Sequence, residues 1–159
     1  MTIGNIKFDE FPLFLAPMED VTDASFRYVC KEFGADMMYT EFISSDGLIR
    51  DARKALAKMV IYPYEKPVGI QIYGHIPEAM EQAAEMAENA PAIAGGCGAD
   101  LIDINFGCPV SKIAGRGAGS GMMREPDKMV EITERIVKRC RLPVTVKTRL
   151  GWDENSKII

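Results

Sequence analysis

Short β-type runs alternate with helix-type runs along the chain, and this alternation limits the fold more than any other feature. The β-type runs are LFLAPM (13–18), MMYTEF (37–42), VGIQIYG (68–74), LIDINF (101–106) and VTVKTRLG (144–151). Helical periodicity fills the gaps at 24–33, about 45–59, 77–90 and 126–140. In the last of these, Met129, Ile132, Thr133, Ile136, Val137 and Cys140 share one face, while Glu131, Glu134, Arg135 and Lys138 take the other. Pro126 opens that helix at a tolerated position. Five strands alternating with four helices build βαβ units and a parallel sheet, either doubly wound or rolled into a (β/α) barrel.

Side-chain alternation separates these two folds. Strands of a doubly wound sheet meet helices on both faces and are apolar throughout, whereas a barrel strand turns one face to the axis. Here Ile70 and Ile72 oppose Gln71 and Tyr73, Ile102 and Ile104 oppose Asp103 and Asn105, and Val144 and Val146 oppose Thr145, Lys147 and Arg149. Tyr39 and Glu41 repeat the pattern. Four strands thus point polar groups inward at the carboxyl end, where barrel enzymes build their sites. The fold expected is α/β, the N-terminal portion of a (β/α)8 TIM barrel. A complete barrel takes about 250 residues and eight strands, so residues 1–159 read as an incomplete catalytic domain, with WDENSKII beginning a further helical connection. A self-sufficient open sheet of five strands is the alternative.

Several function classes drop out. The four cysteines form no C-x-x-C pair and the chain has one histidine, His75, which argues against a metal site or a disulfide framework. His75, in YGHIPE, reads as a solvated or capping residue. No apolar run approaches the ~18 residues of a membrane span, and the N-terminus carries no signal-type apolar core, so a cytoplasmic location is expected. A net charge of -4 gives no overall attraction for nucleic acid.

The connection after the fourth strand carries the chemistry. Nineteen residues separate Phe106 from Pro126, far more than the usual two to six or so, and long loops at this end of a barrel carry function. Its GRGAGSG lacks the register of a dinucleotide or phosphate loop and reads as a mobile segment. Cys30 and Cys140 lie within helices at core-like spacing and Cys97 sits in GGCGAD just before a strand, and all three read as buried structural thiols. Cys108 instead follows a strand and precedes Pro109, with Asn105 three residues earlier and Lys147 and Arg149 on the next strand. A thiol of ordinary pKa, about 8.5, without an activating histidine is a better acid than nucleophile at neutral pH.

APMEDVTDASFR (16–27), the Gln71 strand, DINFGCPVSKIAGRGAGSGMM (103–123) and VTVKTRLGWD (144–153) resemble, in order and spacing, the bacterial FMN-dependent tRNA-dihydrouridine synthases. The resemblance implies FMN across the barrel mouth, touched by Ala16, Pro17, Met18, Gln71 and Lys147, and NADPH as its reductant. It implies a tRNA uridine extruded into the site, with Asn105 reading the uracil edge, Arg149 nearby and Cys108 protonating C5 as general acid. Lys112 and Arg116, with Arg124, are candidate contacts to RNA phosphates. It further implies that the rest of the barrel and a helical tRNA-binding domain follow, so the 159-residue chain alone would be inactive. The alternatives are a flavin-dependent dehydrogenase of free pyrimidines, of dihydroorotate or dihydropyrimidine type, and a non-catalytic, self-associating fragment.

Overall fold

The computed structural model describes residues 1–157. An antiparallel hairpin, β1 (Thr2–Ile3) and β2 (Ile6–Lys7), comes first. It turns at Gly4 in the left-handed region (φ 54°), where a Cβ would lie 2.2 Å from Pro143. Then follow β3 (Phe14–Leu15), α1 (Ala24–Glu32), β4 (Met37–Tyr39), β5 (Ile43–Ser44), α2 (Ser45–Ile49), α3 (Arg53–Lys58) and a 3-10 turn at Pro63–Glu65. The second half holds β6 (Val68–Tyr73), α4 (Pro77–Glu88), α5 (Ala90–Ile93), β7 (Leu101–Asn105), α6 (Ser111–Ala114), a 3-10 segment at Gly119–Arg124, α7 (Pro126–Arg139) and β8 (Val144–Lys147). Strands β3, β4, β6, β7 and β8 pair in that order, all parallel, and β5 adds to the far end of β6. This curled parallel sheet is the N-terminal part of a TIM barrel, as the alternation predicts.

Helices cover the outer face. α4 lays Ala79, Met80, Ala83, Ala84 and Ala87 against the sheet, α7 adds Met129, Ile132 and Ile136, and both begin with proline where no intrahelical N–H is needed. Ile70, Ile72, Ile102 and Ile104 meet them with no exposed surface. α1 starts at Asp23, whose carboxylate accepts the Phe26 amide at 2.8 Å. Inside α1, Arg27 donates through Nε to Glu65 Oε2 at 2.6 Å and through Nη1 to the Thr22 carbonyl at 2.7 Å. Arg27 is 3% and Glu65 0% exposed.

Several boundaries differ from the sequence reading, each for a local reason. The first strand shrinks from 13–18 to two residues, because Pro12 and Pro17 flank it without ladder donors. The helix expected over 45–59 breaks at Asp51, which takes a left-handed φ of 51° between α2 and α3. The run 37–42 leaves the sheet after Tyr39, and the chain rejoins it as β5. The fifth barrel strand ends at Lys147, so Arg149 lies beyond it. WDENSKII does not begin a helix over its described part: Asp153 accepts from the Asn155 amide and Ser156 hydroxyl, and Gly151 bridges Lys157 antiparallel. Ile158 and Ile159 lie outside the described residues. The N-terminal hairpin was not foreseen, since two residues per strand give no periodicity.

Candidate active site

Register builds the inner face. Gln71 stands beside Asp103 and Asp103 beside Thr145 across β6, β7 and β8, while Asn105 stands beside Lys147 one layer nearer the carboxyl end. In a parallel sheet such neighbours share a face, and the side chains bond accordingly. Thr145 Oγ1 donates to Asp103 Oδ1 at 2.5 Å, Gln71 Nε2 donates to Asp103 Oδ2 at 2.5 Å, and Asn105 Nδ2 donates to Gln71 Oε1 at 2.9 Å. Asn105 Oδ1 then accepts the backbone amides of Gly107 and Cys108 at 3.0 and 2.9 Å. A continuous hydrogen-bonded chain thus runs from the barrel interior to the backbone of Cys108.

Above it opens a cleft of about 210 Å³ lined by Pro17, Phe42, Asn105, Gly107, Cys108, Pro109, Lys147 and Arg149. Five residues expected at the site therefore meet there: Pro17, Asn105, Cys108, Lys147 and Arg149. Arg149, though past the strand, is held by an Nε–H bond of 2.7 Å to the Gly107 carbonyl. Ala16 and Met18 flank Pro17 at the exposed end of β3, where Thr22 fixes the turn by accepting the Met18 amide and donating to its carbonyl. Gln71 lies below the cleft with no exposed surface, as a support for Asn105. Lys112 and Arg116 are exposed outside the cleft, and among the described residues neither forms an ion pair. Arg124 is engaged elsewhere, 4.2 Å over the Trp152 ring.

The glycine-rich connection is not the mobile loop expected from GRGAGSG. It coils into α6 and the 3-10 segment, and residues Ala118 to Met123 are buried. Its glycines permit close packing behind the cysteine. A Cβ at Gly119, whose φ is 55°, would lie 2.7 Å from the Cys108 carbonyl oxygen, and one at Gly121 would lie 2.3 Å from that of Ala114. The Ser120 amide donates to the Cys108 carbonyl at 2.9 Å. Cys108 is thereby fixed from both sides, by Asn105 at its N–H and Ser120 at its C=O. The other cysteines, expected as buried, are half-buried against the core, and burial with the nearby Glu88 pushes the Cys140 thiol up to about 11. His75 does not line the cleft.

Phe42, Asp103 and Thr145 are the site residues that motif reading assigned no role. Alternation places Asp103 and Thr145 inward, but only register shows them bonded. Burial raises the Asp103 carboxyl from 3.8 to about 6, against the lowering effect of its bonds to Thr145 and Gln71 and of the Lys147 charge. Burial and then the Asp103 charge push Tyr39, on the neighbouring β4, up to about 12. Folding therefore holds the Asp103 proton more tightly than the unfolded chain does. That contribution to stability is complete below pH ~4 and disappears as pH rises through about 6. Asp103→Asn is expected to be more stable than the parent at pH 7–8 by on the order of 3 kcal/mol, from a shift of roughly two pH units. Urea unfolding across pH 4–8 checks this; a gap that fails to close toward pH 4 would contradict it.

The sheet is that of the TIM-barrel class, and it gathers a cysteine, an amide and two cations at its carboxyl edge, the end where barrel enzymes build their sites. Residues 14–159 match the dihydrouridine synthase (Dus) family model, and the chain belongs to that family. It is 40% identical over 157 residues to a probable tRNA-dihydrouridine synthase of Rickettsia prowazekii (strain Madrid E), covering 98% of this chain and 45% of the relative. It is 35% identical over 145 residues to tRNA-dihydrouridine synthase B of Pseudomonas aeruginosa, covering 91% and 42%. With tRNA-dihydrouridine synthase B of Vibrio cholerae it shares 37% over 158 residues, covering 99% and 46%. The chain thus spans less than half the length of these relatives. No helix among the described residues is long and apolar enough to cross a membrane.

Proposed function

We propose that the chain is the N-terminal half of a barrel that reduces the C5–C6 double bond of a uridine in tRNA, with FMN as cofactor and NADPH as reductant. The observation that carries this reading is the cleft itself, where Cys108 stands beside Asn105, Lys147 and Arg149. Family membership supports the substrate class, and the donor set supports the cofactor. A flavin ring is edged with carbonyl and nitrogen acceptors. Lys147 offers an ammonium at the cleft, and the remaining amide hydrogen of Asn105 and the free guanidinium hydrogens of Arg149 add donors. These residues fit one side of a flavin, with Pro17 and its neighbours Ala16 and Met18 at the other wall and Gln71 beneath. When bound, FMN supplies the hydride for C6. Cys108 holds the proton for C5, and its fixed backbone keeps the thiol at the cleft wall beside Pro109.

The sheet edges support the larger architecture. Val146 faces outward beside a groove of about 360 Å³ lined with Phe106, Met129, Val130 and Val137. At the other edge Phe11, Leu13 and Phe33 are 83%, 65% and 86% exposed. Further strands and helices of a longer chain would pair the open β3 and β8 edges and cover these surfaces, in place of self-association. The helical tRNA-binding domain and the phosphate site of FMN belong to that remainder, and the exposed Lys112 and Arg116 are candidate contacts to RNA phosphates.

One experiment tests function and architecture together. The complete protein, with FMN, NADPH and unmodified tRNA, is expected to add two hydrogens to a tRNA uridine, read as a mass gain of about 2 Da. Residues 1–159 alone should neither quench FMN fluorescence tightly nor alter tRNA. Reduction of free uracil or dihydroorotate turnover, with tRNA unchanged, would replace this reading with a free-pyrimidine dehydrogenase.

A further inference from the structure

The chain of bonds from Asp103 to Cys108 has unambiguous ends. At one end an ionised carboxylate can only accept, and at the other the Gly107 and Cys108 N–H groups can only donate. Gln71 and Asn105 lie between them and each carries both a donor and an acceptor, so each could stand either way round. With the ends as they are, only one arrangement satisfies every bond. Gln71 must turn its NH2 to Asp103 and its oxygen to Asn105, and Asn105 must turn its NH2 to Gln71 and its oxygen to the cysteine loop.

We propose that Asp103 is a positioning residue, whose carboxylate, acting through Gln71, fixes the orientation of the Asn105 amide and thereby the backbone of Cys108. The inference rests on the dihydrouridine reading for its functional consequence, but not for its geometry. Asn105 Oδ1 already accepts two bonds, so its remaining polar group is one N–H. It can therefore meet an acceptor on a bound pyrimidine or flavin, such as a ring carbonyl, and not a donor.

Other groups around Asp103 fit this role. Thr145 donates to its second oxygen, Tyr39 lies close by on β4, and Lys147 on β8 lowers its proton affinity. An asparagine at 103 can keep its oxygen toward Gln71 if its NH2 donates to the Thr145 hydroxyl, which can accept. Asp103→Asn should therefore preserve the orientation. A leucine offers no acceptor and should release it.

The test is hydrogen–deuterium exchange of the complete protein at pH 7, following a peptide that spans residues 105–110 and one from α4 as an internal control. Asp103→Leu is expected to speed exchange at Gly107 and Cys108 at least tenfold with α4 unchanged, and Asp103→Asn to stay within threefold of the parent. In turnover, Asp103→Leu should lower kcat for uridine reduction about 100-fold with KM for tRNA little altered, and Asp103→Asn should remain within tenfold. If leucine prevents folding, Gln71→Met breaks the chain one link later and carries the same expectation. Unchanged protection in a folded Asp103→Leu or Gln71→Met protein overturns the proposal, as does equal loss in Asp103→Asn. A parent protein that leaves tRNA uridines unreduced but shows this exchange pattern would remove the functional reading and keep the role of Asp103.

Discussion

Cys108→Ala in the complete protein is expected to slow dihydrouridine formation by about 10²–10⁴-fold, the usual worth of a positioned general acid. Reduction of bound FMN by NADPH should proceed at close to the parental rate. The split follows from the geometry. Asn105 fixes the cysteine through its main chain, and so does Ser120, so removing the thiol leaves the loop bonds and the cleft walls in place. Cys108→Ser, which keeps a hydroxyl but a much weaker acid, should recover little. Stopped-flow measurement of the two half-reactions separates them. Equal slowing of both, with FMN still bound, would make Cys108 a packing or flavin-directed residue.

Arg27→Met is expected to destabilise the fold by about 3–5 kcal/mol, because it leaves the Glu65 carboxylate buried without its cation. Arg27 lies in α1 and Glu65 in the 3-10 turn before β6, so the pair ties the first helix to the centre of the sheet. Glu65 also accepts the Tyr62 amide at 3.1 Å through Oε1. Adding Glu65→Gln to Arg27→Met removes the stranded charge and keeps that acceptor, so the double variant should be more stable than Arg27→Met alone. Urea denaturation of the set gives the comparison. A single-variant loss below about 1 kcal/mol would mean that water reaches the carboxylate on relaxation.

The barrel sheet was legible because strand alternation is a direct image of a sheet with unlike faces. Gln71, Asp103, Asn105 and Thr145 all point where their neighbours' isoleucines and valines require. The cleft was legible in part, since Asn105, Cys108 and Lys147 lie on or next to two adjacent strands. Arg149 reaches the cleft for a different reason, a bond to the Gly107 carbonyl after the strand has ended. The glycine-rich segment was misread because glycine serves two opposite purposes. It loosens a solvated loop, but it also lets backbones approach where a Cβ could not fit, and at Gly119 and Gly121 the second purpose prevails. Which purpose applies depends on neighbours distant in sequence, and local pattern does not hold that information. Element ends failed similarly, since prolines set the first strand and a left-handed aspartate splits the second expected helix.

The amino-terminal hairpin carries a consequence for the order of folding. Its turn at Gly4 rests on Pro143, at the entrance to β8, so the first residues of the chain take their final contact from almost the last ones described. Two-residue strands do not persist alone in water. The hairpin therefore gains its contact with Pro143 only once the segment leading into β8 is in place. Docking of the hairpin is thus expected to follow, rather than precede, pairing of the five barrel strands.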